Sequence, residues 1–170
     1  MARLLIVHHS PTRSMQALLD QVLAGAHDED VQAGDGVEVV VRPALEATAE
    51  DVLAADGYLL GTTANFGYMS GALKHFFDST FLAIGGSLDP SGGVSTGSTN
   101  DGGSTAGRPY GLWLHGRYDL TGAQRSVESI VGALGWRQGY DVLGVLGELD
   151  DAANEAAYTL GATIAALLTA

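Results

Sequence analysis

Apolar and polar positions along the chain follow two different rhythms. Residues 4–7 form an unbroken apolar run, and a polar stretch from His8 to Ser14 then leads into a segment with apolar residues every three or four positions. The run predicts a buried strand, and the spacing after it predicts a helix. That helix carries its apolar residues on one stripe: Met15, Leu18, Leu19, Val22 and Ala26.

The same change of rhythm recurs to the end of the chain. Strands are predicted at residues 3–9, 37–42, 57–62, 110–116 and 140–147. Helices are predicted near residues 15–26, 48–55, 70–84, 121–134 and 153–168. Strict alternation is typical of a doubly wound α/β domain, in which helices cover both faces of a parallel sheet. The length of 170 residues suits one such domain over residues 1–170.

Residues 85–107 interrupt the alternation. Sixteen of these 23 residues are Gly, Ser or Thr, so the segment has little apolar surface to bury. We therefore predict a flexible loop at 85–107. A loop of this length is either a functional lid or a tolerated surface insertion, and the sequence leaves both open.

Composition narrows the classes of function. The formal net charge is −12, and the basic residues are Lys74 and seven arginines, which argues against nucleic acid and anionic membrane surfaces as partners. The absence of cysteine excludes disulfides and thiolate chemistry, and His8 and His9 have no partners at metal-ligand spacing. No apolar run approaches the roughly 20 residues of a membrane span, so a cytoplasmic protein is expected. The acidity suits solubility or the docking of an electron carrier.

Three loops at the ends of predicted strands carry the candidate chemistry. They cover residues 9–15, 62–71 and 115–122, and each is rich in hydroxyls, glycines or aromatic residues. Open parallel sheets bind ligands beyond the carboxyl ends of their strands, where the strand order reverses. We therefore expect these three loops to form one site.

The first loop has the features of a phosphate site. Ser10, Thr12 and Ser14 offer hydroxyl donors beside Arg13, and the first backbone N–H groups of a helix, here including that of Met15, lack partners inside it. A helix cap alone would need one hydroxyl. The glycine fingerprints of dinucleotide and triphosphate loops are absent. FMN is therefore the expected cofactor.

The second and third loops are predicted to hold the flavin ring between them. Phe66 and Tyr68 in the second loop offer flat apolar surfaces, and Gly67 lets the backbone approach a planar ring closely. In the third loop, Tyr118 can stack on a ring. One side of the isoalloxazine is assigned to Thr63, Ala64, Asn65, Phe66 and Gly67. The other side is assigned to His115, Gly116, Arg117, Tyr118 and Asp119. The two tryptophans, Trp113 and Trp136, are predicted to lie in or at the edge of the core.

Three stretches, "HHSPTRSM", "GTTANFGYMSGALKHFFD" and "HGRYD", together resemble the flavodoxin-like superfamily over nearly the whole chain. The second stretch is the most specific, and it is similar to the motif of NAD(P)H:quinone oxidoreductases of the tryptophan-repressor-binding-protein type. Arg13 stands where that family carries glycine, and Thr63 where it carries proline. The resemblance implies a three-layer fold with a five-stranded parallel sheet of strand order 2-1-3-4-5 and FMN bound without a covalent link.

The resemblance also implies a function. The expected protein is an FMN-dependent oxidoreductase that passes hydride from NAD(P)H to FMN and then to a quinone-like acceptor, with His115 and Tyr118 as catalytic residues. Such a protein could form homo-oligomers. A flavodoxin-type electron carrier with a redox partner protein is the alternative, and a flavin-free binding or regulatory domain is a third class. A hydrolase using His115 and Asp119 is disfavoured because the Gly-x-Ser-x-Gly elbow is missing.

Overall fold

The computed structural model describes residues 1–93 and 104–170, and strands and helices alternate through both ranges. The strands are β1 (Ala2–His8), β2 (Val37–Pro43), β3 (Gly57–Asn65), β4 (Tyr68–Met69), β5 (Pro109–Gly116), β6 (Arg137–Gln138) and β7 (Leu143–Leu146). The helices are α1 (Arg13–Ala26), α2 (Glu29–Gln32), α3 (Ala49–Ala54), α4 (Gly71–Thr80), α5 (Thr121–Ala133) and α6 (Asp151–Leu167). No helix within these two ranges is both long and apolar enough to cross a bilayer.

The order of strands in the sheet is β2-β1-β3-β5-β6, and all of these neighbours are parallel. This is the predicted doubly wound arrangement, with two local differences. The fifth position is divided between β6 and β7, which both pair with β5, and the exposed Tyr140 and Asp141 lie between these two short strands. The short β4 pairs antiparallel with the end of β3 and was not predicted.

Two apolar cores lie on the two faces of the sheet. Along β1, Leu4 and Ile6 belong to the core beneath α1 and α6, whereas Leu5 and Val7 belong to the core beneath α3, α4 and α5. All four side chains are fully buried. A strand buried on both faces reads as a continuous apolar run, which explains why the alternation typical of surface sheets is missing from residues 4–7.

At Thr105, near its end, the segment 85–107 is better anchored than its composition suggests. Thr105 is fully buried, and its hydroxyl donates to the Ile84 carbonyl and accepts from the Trp136 indole N–H, at 2.8 Å in both bonds. The prediction that this segment has little to bury is therefore wrong at Thr105, whose buried hydroxyl forms hydrogen bonds with the Ile84 carbonyl and the Trp136 indole. Residues 94–103 lie outside the described residues, and the flexibility expected there stays a prediction.

Candidate functional site

The three predicted loops lie side by side at the carboxyl edge of the sheet. They leave β1, β3 and β5, which are neighbouring strands. The N–H of His9 donates to the Gly61 carbonyl at 2.9 Å, which joins the start of the first loop to β3. Thr63 and His115 are register partners where β3 and β5 end. The fold therefore brings all three groups of predicted site residues to one edge.

The first loop is held by hydrogen bonds among its own residues. Thr12 is the N-cap of α1, and its hydroxyl oxygen accepts the Met15 N–H at 3.2 Å. The Ser10 hydroxyl lies 2.9 Å from Nδ1 of His8. Gln16, one turn into the helix, donates from its side-chain amide to the Ser10 carbonyl at 3.3 Å. Gln16 was missed by sequence reasoning, although a polar residue one turn after the loop is a detectable signal.

The start of α1 keeps two backbone donors open. The N–H groups of Arg13 and Ser14 have no acceptor among the described residues, and the helix dipole adds positive potential there. Arg13 is exposed beside them. The Met15 N–H is predicted to bind phosphate. In this conformation it instead donates to the capping hydroxyl of Thr12.

His8 lies beneath this loop and is half-buried. Burial lowers the pKa of His8 below its usual 6.5, and the charge of neighbouring His9 lowers this pKa further. The ring is therefore neutral at pH 7. A neutral imidazole can donate to or accept from the Ser10 hydroxyl, so it positions that hydroxyl without placing a charge under the loop.

The second loop is a tight hairpin between β3 and β4. Its central residues, Phe66 and Gly67, have φ angles of 52° and 76°, the positive pair that is typical of a type I′ turn. Glycine adopts such angles freely, whereas a bulky residue is strained there. The Phe66 side chain is also fully exposed. Strain and exposure at the same aromatic residue make Phe66 a candidate functional position.

Thr63, at the base of this hairpin, carries an unsatisfied hydroxyl. The residue is 7% exposed, and its Oγ1 has no hydrogen-bond partner in the described part of the chain. The neighbouring Thr62 is satisfied, since its hydroxyl donates to the Thr63 carbonyl at 2.9 Å and accepts from the Ser70 N–H at 3.0 Å. A buried hydroxyl without a partner costs free energy, so the Thr63 hydroxyl is a candidate group for binding a ligand.

The third loop is tied to the end of β7. Nε2 of His115 lies 2.6 Å from the Gly147 carbonyl, and the Gly147 N–H donates to the Gly116 carbonyl at 2.9 Å. Because a carbonyl can only accept, Nε2 carries the proton of this ring. A cavity of about 200 Å³ opens here, lined by His115, Gly116, Arg117, Gly147 and Glu148. The sequence does not predict that the loop after β7 belongs to the site, because this strand was predicted only as the edge of the sheet.

The tip of the third loop faces solvent and starts α5. Tyr118 is 86% exposed, and Arg117 is exposed beside it. The Asp119 carboxylate accepts the Thr121 N–H at 2.9 Å, and this bond lowers the pKa of Asp119 below its usual value. Asp119 therefore orders the first turn of α5 and stays charged at neutral pH.

The second and third loops touch each other through glycine. A Cβ on Gly122, in the first turn of α5, would lie 2.0 Å from the Gly67 carbonyl oxygen, so a larger residue cannot fit without a shift. A Cβ on Gly116 would lie 3.0 Å from the Cβ of Ala64. Gly122 was not predicted as a site residue, although a glycine in the first turn of a helix is an available signal.

Comparisons with known proteins agree on the fold. No protein-family model matches the chain. A flavodoxin from Aquifex aeolicus (strain VF5) is 33% identical over 89 residues, which cover 52% of this chain and only 45% of that protein. Among solved structures, a flavodoxin from the domain Archaea has a TM-score of 0.74 at 15% identity, covering 99% of both chains. A WrbA-like flavodoxin protein from Agrobacterium tumefaciens has a TM-score of 0.68 at 15% identity, covering 99% of this chain and 98% of that one. The chain therefore has the flavodoxin-like fold.

Proposed function

We propose that this chain is an FMN-binding redox protein whose cofactor lies at the carboxyl edge of the sheet. The observation that carries the proposal is the pairing of an open helix start with exposed aromatic side chains on neighbouring loops. The amides of Arg13 and Ser14 suit a phosphate, and Phe66 and Tyr118 suit a flat ring. The unsatisfied hydroxyl of Thr63 supports a ligand between these two ends.

FMN fits these residues group by group. The phosphate would be held by Ser10, Thr12, Arg13 and Ser14, and the isoalloxazine would lie between residues 63–67 and residues 115–119. The Thr12 hydroxyl can still donate, since its oxygen is the acceptor in the helix cap. Once bound, the flavin supplies the redox chemistry, and the protein binds, orients and shields it.

We further infer an NAD(P)H-dependent oxidoreductase with a quinone-like acceptor, assembled as a homo-oligomer. Support comes from the resemblance of residues 61–78 to the reductase motif and from the fold shared with the WrbA-like protein. In this proposal the exposed Tyr118 contacts the acceptor through its ring and hydroxyl. His115 has a fixed orientation because Nε2 donates to Gly147, which leaves Nδ1 free to act as an acceptor.

An electron carrier without its own NAD(P)H activity is the second candidate. The net charge of −12 suits electrostatic docking to a redox partner protein, and flavodoxins are among the proteins with this fold. The two candidates differ in one physical requirement. A reductase needs space for a second ring over the flavin, whereas a carrier needs only an exposed flavin edge.

The experiment begins with the apoprotein, FMN and riboflavin, and continues with NADH or NADPH and a benzoquinone under anaerobic conditions. We expect FMN to bind, a nicotinamide to reduce it, and turnover to follow ping-pong kinetics. Tyr118→Ala should impair quinone turnover about tenfold more than FMN binding, and Tyr118→Phe tests the hydroxyl alone. If a separate reductase reduces the bound flavin but neither nicotinamide does, the carrier proposal replaces the reductase. If no flavin binds, both proposals fail.

A further inference from the structure

The two tryptophans of this chain differ in how their indole N–H groups are satisfied. Both are buried, and Trp113 is fully so. Nε1 of Trp136 donates to the Thr105 hydroxyl at 2.8 Å, whereas Nε1 of Trp113 has no acceptor in the described part of the chain. An indole nitrogen can only donate, so a buried one without an acceptor requires an explanation.

The Trp113 indole crosses from β5 to β3 over a glycine. Trp113 and Gly61 are register partners, and a Cβ on Gly61 would lie 2.1 Å from Cζ2 and 2.2 Å from Cε2 of the indole. Cε2 is bonded to Nε1, so the unsatisfied N–H lies close to Gly61. The carbonyl of Gly61 already accepts the His9 N–H. The Trp113 N–H is therefore buried near Gly61, the residue whose carbonyl binds the first residue of the first loop.

The second unsatisfied group lies on the same face of the same two strands. Trp113 and Leu59 belong to the core beneath α1 and α6. Because side chains alternate along a strand, Gly61 and Thr63 face that side with Leu59. Towards the amino ends of the strands this face is apolar, and towards the carboxyl ends it becomes polar. Met15, in the first turn of α1, belongs to the same core, so the helix start covers this face.

We propose that a phosphate bound at the start of α1 draws the Trp113 N–H and the Thr63 hydroxyl, which do not bond to each other in this structure, into one hydrogen-bond relay. The Thr63 hydroxyl donates to the phosphate, and its oxygen accepts the Trp113 N–H. The same molecule contains this arrangement elsewhere, since Thr105 accepts from Trp136 and donates to the Ile84 carbonyl. The relay rests on the proposed function in one respect, namely that the anion is the phosphate of FMN.

The relay explains why an indole occupies this place. A hydroxyl that accepts from one donor is a better donor itself, because hydrogen bonds in a chain polarise one another. The relay adds no charge beneath the loop, so an anion above the Thr63 hydroxyl stays favourable. Gly61 is needed because any side chain at that position would displace the indole. Trp113 is thus a positioning residue that acts through Thr63.

The test uses the two indole N–H signals of the ¹⁵N-labelled protein, assigned with Trp136→Phe. Inorganic phosphate or FMN should shift the Trp113 signal downfield, riboflavin should leave its hydrogen-bond shift unchanged, and the Trp136 signal should not move. Thr63→Val should abolish the phosphate-induced shift. Trp113→Phe should weaken FMN binding about tenfold and riboflavin binding less than twofold, which is about 1–1.4 kcal/mol of selectivity. Trp136→Phe is the matched control and should leave the ratio of the two affinities unchanged.

The outcomes separate the relay from the proposed function. If FMN binds tightly while the Trp113 signal stays still, or if Trp113→Phe weakens both flavins equally, the relay is wrong and FMN binding stands. If FMN does not bind but inorganic phosphate shifts the Trp113 signal, the relay is supported and the flavin proposal fails. If Trp113→Phe does not fold, the titrations of the wild-type protein and of Thr63→Val decide.

Discussion

The two ends of the candidate site are built in opposite ways. At the first loop, the polar groups of Ser10, Thr12 and Met15 are already engaged in short-range hydrogen bonds. At the second and third loops, Phe66 and Tyr118 expose their rings, and the backbone of Phe66 is strained. One end is preformed, whereas the other gains its contacts only when a ligand arrives. A preformed anchor lowers the entropy cost of binding, so we expect the phosphate to dominate affinity.

The difference follows from what supports each loop. The first loop leads into a helix of 14 residues, whose Met15 and Leu18 are fully buried. The hairpin has only the two residues of β4 as its second strand, and a Cβ on Gly67 would meet nothing within 4 Å, so on that side the tip is open. A core-packed helix fixes its first turn, whereas a short hairpin with an exposed tip opens at low free-energy cost.

Removing the hydroxyls of the preformed end should have the largest effect. Replacing Thr12 and Ser14 by alanine removes two donors to a charged acceptor, each contributing about 1.5–3 kcal/mol. The affinity for FMN should therefore fall at least about a hundredfold, as measured by fluorescence titration. The affinity for riboflavin, which lacks the phosphate, should change less than about twofold.

The matched control for that variant is Thr48→Ala. Thr48 caps α3 through the same kind of bond, from the Asp51 N–H to its hydroxyl oxygen at 3.2 Å, in another part of the fold. Its loss should cost about 1 kcal/mol of unfolding free energy and leave both flavin affinities unchanged. Equal losses for FMN and riboflavin in the double variant would mean that the phosphate does not bind at the start of α1.

Some features of the fold and of the candidate site can be predicted from the sequence, and others cannot. The periodicity of residues 4–26 predicts β1, the loop and α1, because a buried run and an amphipathic stripe are local signals. The contact of Gly122 with Gly67 and the bond of His115 to Gly147 were not predictable, since each joins residues far apart in the chain. The same holds for Thr105. The composition of the surrounding segment suggests a loop, but the Thr105 hydroxyl accepts the indole N–H of Trp136.

Forcing the ring-side loops apart should have the next largest effect. A Cβ at Gly122 would overlap the Gly67 carbonyl, and overpacking of this kind costs about 1–3 kcal/mol. Gly122→Ala should therefore weaken FMN and riboflavin binding alike, by about thirtyfold. Gly132→Ala, in the same helix α5, has open space and is the control that should bind both flavins normally. Normal binding by Gly122→Ala would show that the loop contact does not shape the ring site.

Relieving the strain at Phe66 should change stability and binding in opposite directions. Asparagine tolerates positive φ better than phenylalanine, so Phe66→Asn should raise the unfolding free energy of the apoprotein by about 1 kcal/mol. It should also weaken both flavins about tenfold, because the stacking surface is lost. Tyr140→Asn, an exposed aromatic residue outside the site, should leave binding unchanged. A destabilised Phe66→Asn apoprotein would mean that the Phe66 ring has contacts in solution.

The smallest expected effect concerns pH and the preformed end. Burial lowers the pKa of His8, with the charge of His9 as a second cause, so the unfolded chain binds a proton more readily than the folded one. The unfolding free energy should therefore rise with pH between the lowered pKa and 6.5. Above this range the contribution of His8 is fully present, and below it the contribution is lost. Asp119, whose pKa is also lowered, titrates in a more acidic range. His8→Gln should flatten the profile below pH 6.5, whereas His75→Gln, at an exposed helix position, should not.

Bound FMN should reduce the slope of unfolding free energy against pH, because its phosphate favours the protonated His8 ring. A slope that FMN leaves unchanged would place the phosphate away from His8 and the first loop.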